Sequence, residues 1–562
     1  MITNDPSFSS GAFPAQDQWN GILDTKALEN MAKELFGPLP TGSSVEELVL
    51  SQNQILPAAD PVQTKPQAPI EPSLPGNFEI PRNSYDFFPG AGSPAFPGGL
   101  TPNGIGSQSS GFTNGFPFLE EVRSDVSQSS DIRILDPFSF SPTVVPAVDI
   151  SSGNFDIASV CRDFPILSEI VNGRKLVWLD NAATTHKPQA VIDRLSYFYE
   201  HENSNIHRAA HTLAARSTDA YEGARNKVKQ FLNASTSEEI IFVRGATEAI
   251  NLVANTWGEK NIGKDDEIII TWLEHHANIV PWQMLCSKKG AKLKVVPVDE
   301  TGQIILSEYE RLLGPKTKLV SLTQVSNALG TVTPAKQMVD MAHRYGAKVL
   351  VDGAQAVSHM PVDVQFLDCD FYVFSGHKVF APTGIGVVFG KADVLETMPP
   401  WQGGGNMIED VTFEKTVYQK PPFRFEAGTG NIADAVGLGA AIDYLNRYGM
   451  ANIAEYEHSL LEYATGQLLR IPGLRLIGTA KDKAGVLSFV INGFKTEEIG
   501  KALSQEGIAV RSGHHCAQPI LRRFGQESTV RPSLALYNTC EDVDALINAL
   551  FDITGGRKTG PI

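Results

Sequence analysis

From Asn154 onward the chain repeats a local pattern that leaves few folds open to it: short β-branched or aromatic runs separated by helix-like stretches and brief Gly- or Asp-containing connections. Ile240-Ile241-Phe242-Val243, Glu267-Ile268-Ile269-Ile270, Lys318-Leu319-Val320-Ser321, Lys348-Val349-Leu350-Val351 and Phe371-Tyr372-Val373-Phe374 are such runs. Strands apolar on successive residues need cover on both faces, which is the texture of a largely parallel sheet between helices. The expectation is an α/β fold without internal repeats, with ligands held just past the strand carboxyl ends. The polar residues after each run are therefore the candidates for chemistry.

Residues 1–150 do not share that pattern. They hold 19 of the 35 prolines, and 17 acidic against 6 basic residues, so they carry −11 of the formal net charge of −16. Stretches such as Pro57 to Pro81 and the Phe/Gly/Pro/Ser-rich run from Phe87 to Phe118 offer no periodic apolar face to offset chain entropy, and a disordered tail is expected. One island differs. Thr25 can cap a helix in which Leu28, Met31, Ala32, Leu35 and Phe36 share a face, and Gly37-Pro38 stops it. It reads either as a nascent helix of no consequence or as a docking helix over 25–36 on a long tether.

Bulk properties exclude several classes. The acidic balance and the lack of a clustered Lys/Arg surface argue against nucleic acid. Five cysteines, widely spaced and odd in number, do not make a disulfide framework and suit a reducing compartment. The amino terminus shows neither a basic nor an apolar leader pattern, and no uncharged apolar run approaches the roughly 18 residues of a membrane helix. A cytoplasmic protein without membrane contact is expected.

The polar residues after the strands converge on one chemistry. The run ending at Val351 delivers Asp352, with Gln355 just beyond, and the run ending at Phe374 delivers Ser375-Gly376-His377-Lys378. Arg244-Gly245-Ala246-Thr247 is a strand-to-helix turn whose backbone N–H groups and hydroxyl can cradle an anion. Glu274-His275-His276 supplies a ring that can lie over a planar ligand. Each alone is unremarkable loop or ion-pair material. Together they fit pyridoxal 5′-phosphate: a Schiff base through Lys378, Asp352 on the pyridine nitrogen, and the phosphate held by the Thr247 turn with Ser375 and His377.

The chain resembles the class V, fold-type I pyridoxal-phosphate enzymes, and within them the group II (SufS-like) cysteine desulfurases. Carrying the resemblance are Asp180 to Thr185, Asn205-Ile206-His207-Arg208, Arg244 to Glu248, Glu274 to Asn278, Asn327 to Gly330, Asp352 to Gln355, Ser375 to Lys378, Arg511 to Pro519 and Arg531 to Thr539. It implies a large mixed-sheet cofactor domain over 155–440 and a smaller C-terminal α/β domain over 441–562 carrying the cysteine loop. It also implies that His275 stacks on the ring and passes a proton during catalysis, that Ala246, Asn327 and Gln355 lie against the cofactor, that Asn327 also meets the substrate, and that Arg531, with Arg511, clamps the substrate carboxylate. His207 and Arg208 would line the substrate path. A homodimer is implied, with Thr429 reaching the partner's phosphate. Ala246 and Gly430 depart from the residues more usual in the family. The tail resembles the cargo-loading extension of desulfurases packaged in encapsulin shells.

Cys516 stands apart from Cys161, Cys286, Cys369 and Cys540, whose apolar, acidic or helix-like surroundings suit a small buried hydrophobe. It follows Gly513-His514-His515 in a polar loop, where imidazoles or Arg511 favour a thiolate. Nucleophile leads, an inert loop thiol comes next, and a metal ligand last, because adjacent residues cannot easily converge on one ion. The resemblance implies conversion of L-cysteine to L-alanine, with the sulfur left on Cys516 as a persulfide and passed to a small acceptor protein for iron–sulfur or other sulfur metabolism. Selenocysteine lyase, another class V activity, and a shell protein's cargo are the alternatives.

Overall fold

The computed structural model of the chain describes residues 156–206 and 211–555. The expected tail over 1–150, its helix at 25–36, and His207 and Arg208 lie outside the described residues. The centre is a seven-stranded mixed sheet: β1 (Ile240–Val243), β2 (Glu267–Thr271), β3 (Lys292–Val296), β4 (Thr317–Thr323), β5 (Lys348–Asp352), β6 (Phe371–Ser375) and β7 (Gly386–Gly390), in the spatial order β1-β7-β6-β5-β4-β2-β3. Only β7 runs against its neighbours β1 and β6; the ladders from β6 across to β3 are parallel.

All five expected strands are present, and the reason for their texture is visible. Ile268 and Ile270 enter one apolar layer while Ile269 enters the other, and Phe371 and Val373 alternate in the same way with Tyr372 and Phe374. Both faces are buried, so the strand interiors are nearly all apolar, and the one hydroxyl inside β4, Ser321, is bonded to Asn278. Two strands were not among the expected runs. β3 alternates charged and apolar residues, as an edge strand does, and β7 is bounded by glycines. The expected strands also run one residue further than their apolar stretches, to Thr271, Asp352 and Ser375.

Of helices α1 (Gln189–His201), α2 (Thr212–Phe231), α3 (Ala246–Val253) and α4 (Ile432–Tyr448), α3 packs on β6 and β7, while α4 packs against α1 and α2. Gly437 and Gly439 let α4 approach closely: a Cβ on Gly439 would lie 3.1 Å from Ala224 of α2. Gly449, at φ 81°, ends α4, and α5 (Met450–Leu468) follows at once. Beyond it a four-stranded sheet, β8 (Leu474–Leu476), β9 (Phe489–Ile491), β10 (Arg511–Gly513) and β11 (Thr529–Arg531), is ordered β8-β9-β11-β10 and antiparallel throughout. Its own apolar cluster joins Leu460, Phe489, Ile499, Val530 and Leu546. Among the described residues no helix is long and apolar enough to cross a membrane.

Candidate active site

Five strands end at one cavity of about 170 Å³. Ala246 and Thr247 follow β1, His275 follows β2, Thr323 and Asn327 come from the end of β4 and beyond, Asp352 ends β5 with Gln355 after it, and Ser375, His377 and Lys378 close β6. Parallel strands aim their carboxyl ends the same way, so residues 132 positions apart in the chain meet by direction alone. The Ser375 hydroxyl accepts from the Ala246 N–H at 2.8 Å, tying the β6 end to the α3 amino terminus.

The electrostatics follow from burial. Lys378 is pulled down from 10.5 to about 8 because burial penalises its ammonium more than nearby Asp352 favours it. Burial also raises the Asp352 carboxyl, which accepts one protein hydrogen bond, from Ala354 N–H at 2.9 Å. His275 is lowered to about 3 by burial and by the Lys378 charge, so its ring is neutral; Nδ1 accepts from Ala277 N–H at 3.0 Å, which fixes the ring. The preceding residue, Glu274, is fully buried and accepts from Thr271, Asn278 and Thr323. Burial nevertheless pushes its carboxyl up to about 8.

The small sheet closes the cavity. Arg511 on β10 and Arg531 on β11 are cross-strand partners in register. Like charges placed opposite each other are unfavourable without an anion between or beside them. Asp180 meets part of that need, pairing with Arg531 Nη2 at 2.9 Å, while Arg531 Nη1 donates to the Asn327 carbonyl and its Nε has no protein partner. Arg511 Nη2 lies 4.0 Å from Cys516 Sγ. His515 and Cys516 both sit at φ 53°, a left-handed geometry that costs non-glycine residues on the order of 1–3 kcal/mol each. The loop is held there from several sides: the His515 carbonyl accepts from Asn327 Nδ2 at 2.8 Å, His515 Nε2 bonds Thr529, and the Cys516 carbonyl accepts from His276 N–H at 2.8 Å.

The other cysteines differ from expectation in part. Cys286 and Cys369 are buried, and burial raises both thiols. Cys540, expected to be buried, is exposed because it opens a helix whose apolar face begins at Val543. Thr429 does not join the cavity; it borders a separate one with Arg244, Trp401 and Asn431, and its hydroxyl lies 3.3 Å from Asn205 Oδ1. Sequence reasoning missed the supporting shell: Asp180 on Arg531, Glu274 holding Asn278 and the end of β4, and His359 with Glu457 behind Gln355. Asp180 and Glu274 stand inside motifs already singled out, whereas nothing local marks Glu457.

The fold and site together define a class. The aminotransferase class-V family model matches residues 177–546, and the chain belongs to that family. Within it the chain is a pyridoxal-phosphate-dependent cysteine desulfurase: it is 58% identical over 523 residues to a cysteine desulfurase of Synechococcus elongatus, a match spanning 92% of this chain and 81% of the relative. A cysteine desulfurase of Escherichia coli is 50% identical over 397 residues, 70% of this chain and 98% of its own length. The crystal structure of the E. coli cysteine desulfurase CsdA superposes with a TM-score of 0.67 at 40% identity, covering 71% of this chain and 98% of the other. The cavity suits the cofactor. Besides Lys378 and Asp352, it presents Asn327 Oδ1 and Gln355 Oε1, both buried without a protein partner.

Proposed function

We propose that Cys516 takes the sulfur of L-cysteine as a persulfide while Lys378 holds the cofactor and moves the substrate's Cα proton. The observation that carries this reading is the placement of Cys516 beside Arg511 in a strained but well-tied loop next to the cavity of Lys378. Asp352 stands for the pyridine nitrogen, His275 for the ring face, Asn327 and Gln355 for ring substituents, and Ala246, Thr247, Ser375 and His377 for the phosphate. When bound, pyridoxal phosphate supplies an electron sink for the substrate's Cα.

The chain's own groups do the rest. The unpartnered Nε of Arg531, with Arg511 opposite, suits a substrate carboxylate, which would complete the anionic complement of the arginine pair. An amine pulled to about 8 is free as a base in a useful fraction near neutral pH. The Cys516 thiolate attacks the substrate's Sγ; the Cβ–Sγ bond breaks and leaves its electrons on the carbon skeleton. Proton uptake there releases L-alanine, and Cys516 retains the sulfur as –S–SH. A small acceptor protein then removes that sulfur for iron–sulfur or other sulfur metabolism. The working unit is a cytoplasmic homodimer in which Thr429 serves the partner's phosphate.

The test is alanine and persulfide formation by wild type and Cys516→Ala, each checked for the cofactor's absorbance. Alanine from wild type alone, with the cofactor band intact in both, supports the assignment; equal activity in the variant removes it.

The acidic, proline-rich segment 1–150 belongs to the same reading as a tether that loads the enzyme into an encapsulin shell. Its composition, which sets it apart from the enzyme, supports this. Residues 1–150 fused to a fluorescent protein and co-expressed with a shell decide it: fluorescence absent from assembled shells overturns the tether.

A further inference from the structure

Behind Gln355 lies a buried chain of side chains that the reaction scheme does not use. Gln355, His359 and Glu457 are 3%, 5% and 3% exposed. Gln355 and His359 belong to the turn after β5, whereas Glu457 comes from the middle of α5. The His359 Nδ1 lies 2.6 Å from Glu457 Oε2, and its Nε2 lies 3.1 Å from Gln355 Nε2.

The chemistry of the three groups orders their protons. With the imidazole neutral and the carboxylate accepting, the 2.6 Å contact puts the ring hydrogen on Nδ1, donated to Glu457. In the neutral ring Nε2 is then an acceptor, and it takes one N–H of the Gln355 amide. A flipped amide would set Oε1 against the lone pair of Nε2, which is repulsive. The arrangement therefore leaves Gln355 Oε1 and the second N–H for other partners, and Oε1 is indeed buried without one in the protein. Gln355 also lines the cofactor cavity.

We infer that Glu457 and His359 are positioning residues that lock the Gln355 amide in one rotamer and one flip state, so that the cofactor ring meets a fixed hydrogen-bonding group. The inference rests on the proposed contact of Gln355 with the ring. It makes α5, which packs into the apolar cluster of the small sheet, part of the support of the cofactor. Without the carboxylate the imidazole is free to shift its proton to Nε2, the amide is free to flip, and the ring's partner alternates between donor and acceptor.

The experiment uses the holoenzyme and reads the midpoint of the pH titration of bound-cofactor absorbance, with thermal unfolding as a separate record of structure. Glu457→Leu and His359→Leu are each expected to move that midpoint by about half to one pH unit, the equivalent of one ordinary hydrogen bond. Gln355→Leu should move it the same way, and Gln355→Leu combined with Glu457→Leu should move it no further, because one chain of contacts is being cut twice. Glu457→Gln should keep the wild-type midpoint, since the amide oxygen still accepts from Nδ1. A shifted midpoint for Gln355→Leu beside wild-type midpoints for both His359→Leu and Glu457→Leu overturns the relay alone. An unshifted Gln355→Leu removes the ring contact beneath it, and the relay with it. If Glu457→Leu does not fold, His359→Leu against Gln355→Leu still decides the matter.

Discussion

Lys378 shows how far burial alone can prepare a side chain. Its amine sits at about 8 rather than 10.5, so the folded protein releases a proton that the unfolded chain keeps. A base whose folded pKa lies below its unfolded value lowers stability at pH below about 8, and the loss fades as pH climbs from 8 toward 10.5. In cofactor-free protein, Lys378→Met should therefore raise stability near pH 7 by on the order of 2–3 kcal/mol, and the gain should vanish near pH 10.5. Urea unfolding at both pH values checks this; equal midpoints near pH 7 would show that the charge is solvated after all. The aspartate was legible because it directly follows an apolar run, and the lysine because it stands four residues past another, where a charged residue lies at the end of a buried strand. His359 and Glu457 were not, because 98 residues separate them and neither disturbs its local pattern.

At the scale of elements, the antiparallel strand β7 decides how tightly the site is backed. A Cβ on Gly386 would lie 2.4 Å from the Gly245 Cα and 2.7 Å from the Phe374 carbonyl oxygen, both backbone atoms that cannot swing away. Gly245 immediately precedes Ala246 and Thr247 at the start of α3. Gly386→Ala should thus cost about 1–3 kcal/mol in overpacking and push the α3 turn off its place beside Ser375. Thermal unfolding together with cofactor titration checks both parts: a lower melting temperature and a several-fold weaker pyridoxal phosphate affinity are expected, and unchanged values would mean the strands separate freely. Gly386-Val387-Val388-Phe389-Gly390 was not among the expected strands, and glycines at both ends of such a run usually mark turns. Here they permit close backbone approach instead, a distinction that resides in the neighbouring strand and not in the segment.

The whole molecule assembles its cavity from residues between Ala182 and Arg531, and the E. coli relative is matched over nearly its full length by 70% of this chain. Removing residues 1–150 should accordingly leave alanine production per chain within about twofold of wild type, a difference of under about 0.5 kcal/mol in transition-state stabilisation. Turnover of L-cysteine by the shortened and full chains checks this, and a loss of tenfold or more would give the tail a part in catalysis. By itself the sequence determined the strand texture, the side chains that follow each strand, the distinctive cysteine and the contrast between tail and enzyme, because each is written in a few consecutive residues whose periodicity and polarity reflect local burial. Only the tertiary structure decided that Arg511 faces Arg531, that Asp180 shares that charge, that Thr429 stands at another cavity, and that Glu457 reaches Gln355 through His359. Those relations join segments far apart in the chain, and strand order, register and helix packing set them through contacts that no local pattern encodes.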